Sequence, residues 1–486
     1  MEELRDYAVK DLEDWTKRIE DVAARFGLDW YPQEFEIVDY EMMLGTLAYN
    51  GIPAYYPHWS FGKAYERKAT LYKYGLTYLP YELVINSNPS IAYLMNENPL
   101  PLQILIIAHV YAHNNFFKNN VNFQRGTRAE LALEFFKASA DRVRSYVSDP
   151  SIGLKKVEKC LDAAHALMYH RSRIPGVSYL SQDKKLLTLS SKSQNPTDDQ
   201  WAHLKQKRNN KEQTLTDFPI EPEENLLLFM RDYSPRRLED WEKDLMTIAA
   251  ESFAYFLPQI ETKNMNEGWA SYWHDKIIRA LPLSADIRLA IADYHSRVVR
   301  PSENPLSINP YHIGIETWSD IFRRYEKPTA EEIKEYSLTG GDGSKQIFHV
   351  MRTANDASFF RAYLTQELMA RLNLLSYKVE DDDIVVNELA DNDSWKRIKR
   401  LLIRDVGLGL MPVIKITDAD YEHARNLYLK HEFDGRNLDK EYAQKTLQHI
   451  YYFWERNLYL ETVTYKRRVP FIYKYDGKHQ FGYRKK

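Results

Sequence analysis

Apolar positions recur every three to four residues through most of the first 330 residues, the period of helices that bury one face. Leu4, Leu12, Trp15, Ile19, Val22 and Phe26 line one side of a helix predicted over Glu2 to Phe26 and ended by Gly27. A turn-rich stretch then reaches His58, and Tyr81 to Asn86 reads as a short strand. Leu102 to Asn120 (LQILIIAHVYAHNNFFKNN) differs, because its only charge is Lys118 and apolar residues occupy every side. That pattern predicts a buried helix. Further helices are expected over Arg128 to Val147, Asp240 to Leu257, Asn264 to Leu281 and Ile287 to Val299, with Pro258, Pro282 and Pro301 as breaks.

After Tyr377 the pattern changes. Ile384 to Val386, Val413 to Ile416, Asn426 to Lys430 and Thr462 to Tyr473 suggest strands, and Ser394 to Ile403 and Lys440 to Asn457 suggest helices. The expected fold class is α+β: a mainly helical core domain over 1–330, a connecting helical segment over 331–376 and a smaller α+β domain over 377–486. Within the core, about 181–222 is rich in Ser, Gln, Asn and Lys, which reads as a mobile insertion carrying a basic run from Lys205 to Lys211.

Composition narrows the classes of partner. The chain has 486 residues, beyond the size at which a single core stops growing. Its formal net charge of −3 gives no global pull toward nucleic acid or membrane. Cys160 is the only cysteine, which excludes an intramolecular disulfide and a multi-cysteine metal site and fits a reducing cytoplasm. The opening MEELRDYAVKDLEDW is acidic and amphipathic, unlike a signal peptide, and no apolar run approaches ~20 residues. A cytoplasmic protein without membrane insertion is expected.

The candidate chemistry lies on two helices. His109 and His113, four residues apart, share one face of this almost uncharged helix and can ligate one cation. The third ligand proposed is Glu267 in NEGWASYWH, a helix that places Glu267, Ser271 and His274 on one face. This segment resembles the NEGFASY-type segment of gluzincin metallopeptidases, whose Glu is the third zinc ligand, and the resemblance implies a zincin-like core with zinc as cofactor. Gluzincins read H-E-x-x-H, and Val110 stands where their general base would be. Loss of that base costs ~10²–10⁴ in rate. Glu251, Glu134 and His295 are the candidate replacements, and His58, His274 and His295 are candidates to line the site or orient a ligand.

Each of these residues also has a structural reading. Paired buried histidines can be satisfied core residues. Glu267 and Asn264 are spaced for a capping box. His58 can pack on Trp59, and His274 and His295 can lie on a helix surface.

Longer blocks carry a second resemblance. HWSFGKAYERKATLYKYGL, YELVINSNPSIAYL, AHVYAHNNFFKNN, TKNMNEGWASYWH, INPYHIGIETWSDI and VMRTANDASFFRAYLTQEL occur in the order found in the SpoVR (stage V sporulation protein R) family. The resemblance implies a cytoplasmic bacterial protein involved in forming the spore cortex, the peptidoglycan layer of the endospore. Relatives in bacteria that do not sporulate are linked to a serine/threonine-kinase stress system.

Three functional readings follow. One is a zinc-dependent hydrolase lacking the usual motif Glu. Another is a non-catalytic scaffold or regulator acting through protein partners in cortex assembly or stress signalling. The third is a nucleic-acid-binding module at the basic and aromatic C-terminal end, TYKRRVPFIYKYDGKHQFGYRKK.

Overall fold

The computed structural model describes residues 7–74, 82–187, 218–302, 307–374, 376–380, 383–388, 394–463 and 470–484. The chain forms two compact units, each built from two stretches: Met1–Asp141 with Tyr255–Leu410, and Arg142–Ala254 with Met411–Lys486. The architecture is α+β, mostly helical, with small sheets. The basic run at 205–211 and most of the polar insertion lie outside the described residues.

The first unit is organised around the helix Leu100–Asn119, here the histidine helix. Every residue from Pro101 to Phe117 is buried, as its lack of charge dictates. Against it pack the amphipathic helix Val9–Arg25, through Leu12, Ile19 and Val22, and the helix Lys263–Ala280, here the glutamate helix. The glutamate helix packs in turn on the helix Pro310–Glu326. A small sheet leads into the histidine helix. Its strands β1 (Gln33–Val38), β2 (Glu82–Ile85) and β3 (Ser90–Met95) stand in the order β1-β3-β2, with β1 parallel and β2 antiparallel to the fully buried β3.

A strand and a helix, Tyr40–Ala48, thus occupy part of the stretch read as turn-rich. Within β1 charged and apolar residues alternate only from Glu34 to Ile37. Its register with β3 comes from pairing across the chain, a contribution that local composition does not carry.

Pro258 also departs from expectation. The helix Asp240–Glu261 runs through it for most of another turn. Proline removes one helical N–H, but its carbonyl still serves as an acceptor, here for Thr262 Oγ1 at 2.7 Å. The first helix begins at Val9, and residues 1–6, including Leu4, lie outside the described residues.

A hairpin of β4 (Ser376–Glu380) and β5 (Asp383–Glu388) lies in the first unit. The second unit holds a five-stranded sheet of β6 (Ile414–Tyr421), β7 (Asn426–His431), β8 (Leu458–Val463), β9 (Pro470–Tyr475) and β10 (Gln480–Arg484), ordered β10-β9-β8-β7-β6. Only β7 and β8 are parallel, joined by the helix Lys440–Trp454. Such a crossover is what a parallel pair requires. The strand-forming stretch Thr462 to Tyr473 falls on the antiparallel pair β8 and β9, with 464–469 outside the described residues. Helices Leu154–Leu167 and Leu226–Tyr233 pack with Lys440–Trp454, and Cys160 is buried among them.

Candidate metal centre

On the histidine helix, His109 and His113 occupy successive turns with ring centroids 4.6 Å apart. The helix is held in rotation by amides on its other faces. Asn114 bonds the backbone of Tyr31 in both directions, and Asn115 donates to the Asp29 carbonyl while accepting from the Trp269 indole N–H at 3.0 Å. That last bond links the histidine and glutamate helices directly.

The glutamate helix begins without a cap of its own, since Thr262 makes no side-chain capping bond. The buried Asp356, on the helix Asp356–Tyr363, supplies it. One carboxylate oxygen accepts from the backbone N–H and the side-chain amide of Asn264, and the other accepts from the Met265 N–H. Burial pushes the Asp356 carboxyl up to about 7, against the opposing pull of those N–H donors. The capping box between Asn264 and Glu267, the structural alternative raised from the sequence, does not form, because Asp356 takes the Asn264 and Met265 N–H groups. Glu267 points toward the imidazoles instead.

Two glycines let the glutamate helix cross the helix Pro310–Glu326 closely at the residue after Glu267. A Cβ on Gly268 would lie 2.3 Å from the Gly314 backbone, and one on Gly314 would lie 2.6 Å from the Gly268 Cα. Any side chain there would force the two helices apart.

Glu267 Oε2 lies 3.5 Å from His113 Nε2 and 4.0 Å from His109 Nε2. One ligand atom from each of the three residues falls within 4.8 Å of the others. Two donors on a tetrahedral zinc, each bound at ~2.0–2.2 Å, stand roughly 3.3–3.6 Å apart. Glu267 Oε2 is buried and has no hydrogen-bond partner among the described residues. A carboxylate oxygen in that position is costly without a compensating cation. Two imidazoles and a carboxylate are also a usual zinc donor set, so the residues fit the ion.

The outer nitrogens of the imidazoles are engaged in the way that orients zinc ligands. His113 Nδ1 meets Asn266 Oδ1 at 2.9 Å; as an N–H donor there, it keeps its lone pair on Nε2. His109 Nδ1 lies 2.7 Å from His274 Nδ1, and His274 Nε2 lies 2.7 Å from His295 Nδ1. Burial, then the neighbouring imidazoles, holds His109 and His274 well below the usual histidine range. His295, on the helix Ala285–Val299, is also lowered, mainly by burial, although Asp275 opposes the shift. Neutral rings suit metal ligation, and the row can be linked by two hydrogen bonds, His109 Nδ1–H to His274 Nδ1 and His274 Nε2–H to His295 Nδ1.

The structure therefore brings together His109, His113, Glu267, His274 and His295. It overturns the surface reading of His274, which is buried. His58 caps the helix Trp59–Lys73, its ring 5.5 Å from Trp59, which is the packing alternative raised from the sequence. Glu134 is exposed on the helix Ala132–Ser148. Glu251 is exposed and belongs to the second unit, whereas the cluster belongs to the first. Val110 is fully buried. Sequence reasoning missed Asn266, Asp356 and the glycine pair. Of these only Asn266, adjacent to Glu267, offered a local signal.

Among the described residues, no helix is long and apolar enough to cross a membrane. Lys466 to Arg468, part of the basic and aromatic end on which the nucleic-acid reading rests, lie outside the described residues.

Comparison with known proteins agrees with the long sequence blocks. A family model described as SpoVR like protein matches residues 6–411, and one described as SpoVR-like C-terminal domain matches 412–465. An Escherichia coli (strain K12) protein named uncharacterized protein YcgB is 31% identical, with 93% of each chain covered. No solved structure matches the chain significantly. The family models together span both compact units, and by that coverage the chain belongs to the SpoVR family.

Proposed function

We propose that this protein binds zinc through His109, His113 and Glu267 and serves spore cortex formation from the cytoplasm. The observation that carries the zinc reading is the convergence of two imidazole nitrogens on a buried carboxylate oxygen that has no hydrogen-bond partner among the described residues. The cortex role is supported by membership of a family named for sporulation.

Zinc held there supplies a Lewis acid for hydrolytic chemistry. The chain's own residues divide the remaining work. Asn266 and His274 hold the two ligand rings in orientation, and His295 supports His274. Metal analysis of untagged protein tests the reading. A single zinc per chain in the parent, lost in His109→Ala, is the expected result; clean parent protein containing none ends the proposal.

A second reading, a non-catalytic scaffold or regulator with a structural metal, is favoured by Val110. Burial of an apolar side chain at the motif position leaves no base beside the ligands on that helix. It predicts that Glu267→Gln lowers thermal stability while partner binding by the folded variant persists. A variant as stable as the parent that fails in cortex formation would favour the enzyme instead.

A further inference from the structure

The row of imidazoles leads away from the ligand cluster to a second feature. His274 and His295 form part of the wall of a pocket of about 190 Å³ within the first unit. Leu105, Ile278, Ile291 and Ala292 give it an apolar floor, and Arg279, Arg288 and Asp275 complete the lining.

The charges are unevenly matched. Arg279 Nε bonds both oxygens of Asp275, at 2.8 and 2.9 Å, so these two neutralise each other. Arg288 contacts only a backbone carbonyl, that of Leu281 at 3.3 Å, and pairs with no carboxylate among the described residues. His295 uses Nδ1 toward His274, which leaves Nε2 as its remaining polar atom. The lining therefore combines one guanidinium without a counter-charge, an imidazole nitrogen and an apolar floor.

A guanidinium fork matches the planar oxygens of a carboxylate or a phosphate. The floor suits a short hydrocarbon body. The volume is below the ~300–1,000 Å³ of sites for drug-sized ligands, which restricts the occupant to a small molecule. We propose that this pocket binds a small organic oxyanion, a carboxylate or phosphate monoester on a short apolar body, with Arg288 as its principal charge partner. The ligand rests against the wall formed by His274 and His295, and His274 Nδ1 lies 2.7 Å from His109 Nδ1.

Binding does not depend on the zinc reading, so the two can fail separately. Titration calorimetry on the metal-free full-length protein, with butyrate, butyl phosphate and inorganic phosphate as probes, tests it. Saturable binding of butyrate or butyl phosphate is expected, and the preference between them identifies the headgroup. Affinity should fall roughly tenfold or more in Arg288→Ala, the scale of a charged hydrogen bond, and persist in Glu267→Gln. Arg288 is exposed and makes only the one backbone contact, so its variant should retain the parent's melting temperature. Absence of saturable binding by any probe, equal affinity in parent and Arg288→Ala, or inorganic phosphate binding as tightly as butyl phosphate overturns the proposal.

Discussion

Gly268 and Gly314 meet backbone to backbone where the glutamate helix crosses the helix Pro310–Glu326, one residue from the carboxylate that faces His109 and His113. The absence of two side chains thus decides where Glu267 stands. In Gly314→Ala the new methyl would lie 2.4 Å from the Asn264 carbonyl oxygen and must push the glutamate helix away. A loss of about 1–3 kcal/mol is expected, the cost of overpacking, together with reduced zinc stoichiometry. Thermal denaturation and metal analysis of the same preparation check both; a variant matching the parent in each would show that the crossing does not position the ligand.

Asp356 couples the same helix to pH. Its folded-state carboxyl, raised to about 7, lies above the ordinary value near 3.8, so the native state holds more protons between these limits. Its contribution to stability is therefore fully present at low pH and declines as pH rises from about 4 through 7. Asp356→Asn should remove this slope while costing stability below pH 4, because an amide replaces one of the two acceptor oxygens. Denaturant midpoints for parent and variant across that range measure the difference; parallel profiles would contradict it.

The buried histidines act in the opposite direction. His109 and His274 are held neutral in the fold, while in the unfolded chain they gain protons near pH 6.5. Their contribution is present above that pH and is lost as pH falls below it. In metal-free protein, His274→Gln should flatten the decline between about pH 6.5 and 5. An unchanged decline would place its origin in other groups.

His274 also orients His109 through its Nδ1. His274→Phe preserves a ring but removes the hydrogen-bond partner, and zinc affinity should fall ~10–100-fold, the usual effect of losing such support. Competition with a chromophoric chelator reads this directly. His295→Phe, one step further out, should have a smaller effect, and the reverse order would rule out the row as the support for His109.

Much of the local architecture was legible along the chain. The lack of charge over Leu102 to Asn120 announced a buried helix, and four-residue spacing put His109 and His113 on one side of it, because helical geometry relates neighbours whatever surrounds them. Glu267 and His274 were legible as one face of a second helix for the same reason. The strand β1 was not, since it depends on pairing with β3 outside its own segment, and the continuation of the helix past Pro258 ran against the residue type there.

By itself, then, the sequence determined which side chains could act together on a single helix, and its long blocks determined the family. Only the tertiary structure decided that the two helices meet with Glu267 facing both imidazoles, that Asp356 rather than Glu267 caps the glutamate helix, and that His274 and His295 extend the cluster into a row. The reason is physical. Periodicity encodes the direction of a side chain about its own axis, whereas the distance between axes is set by packing, as where Gly268 and Gly314, far apart in the chain, let the glutamate helix meet the helix Pro310–Glu326.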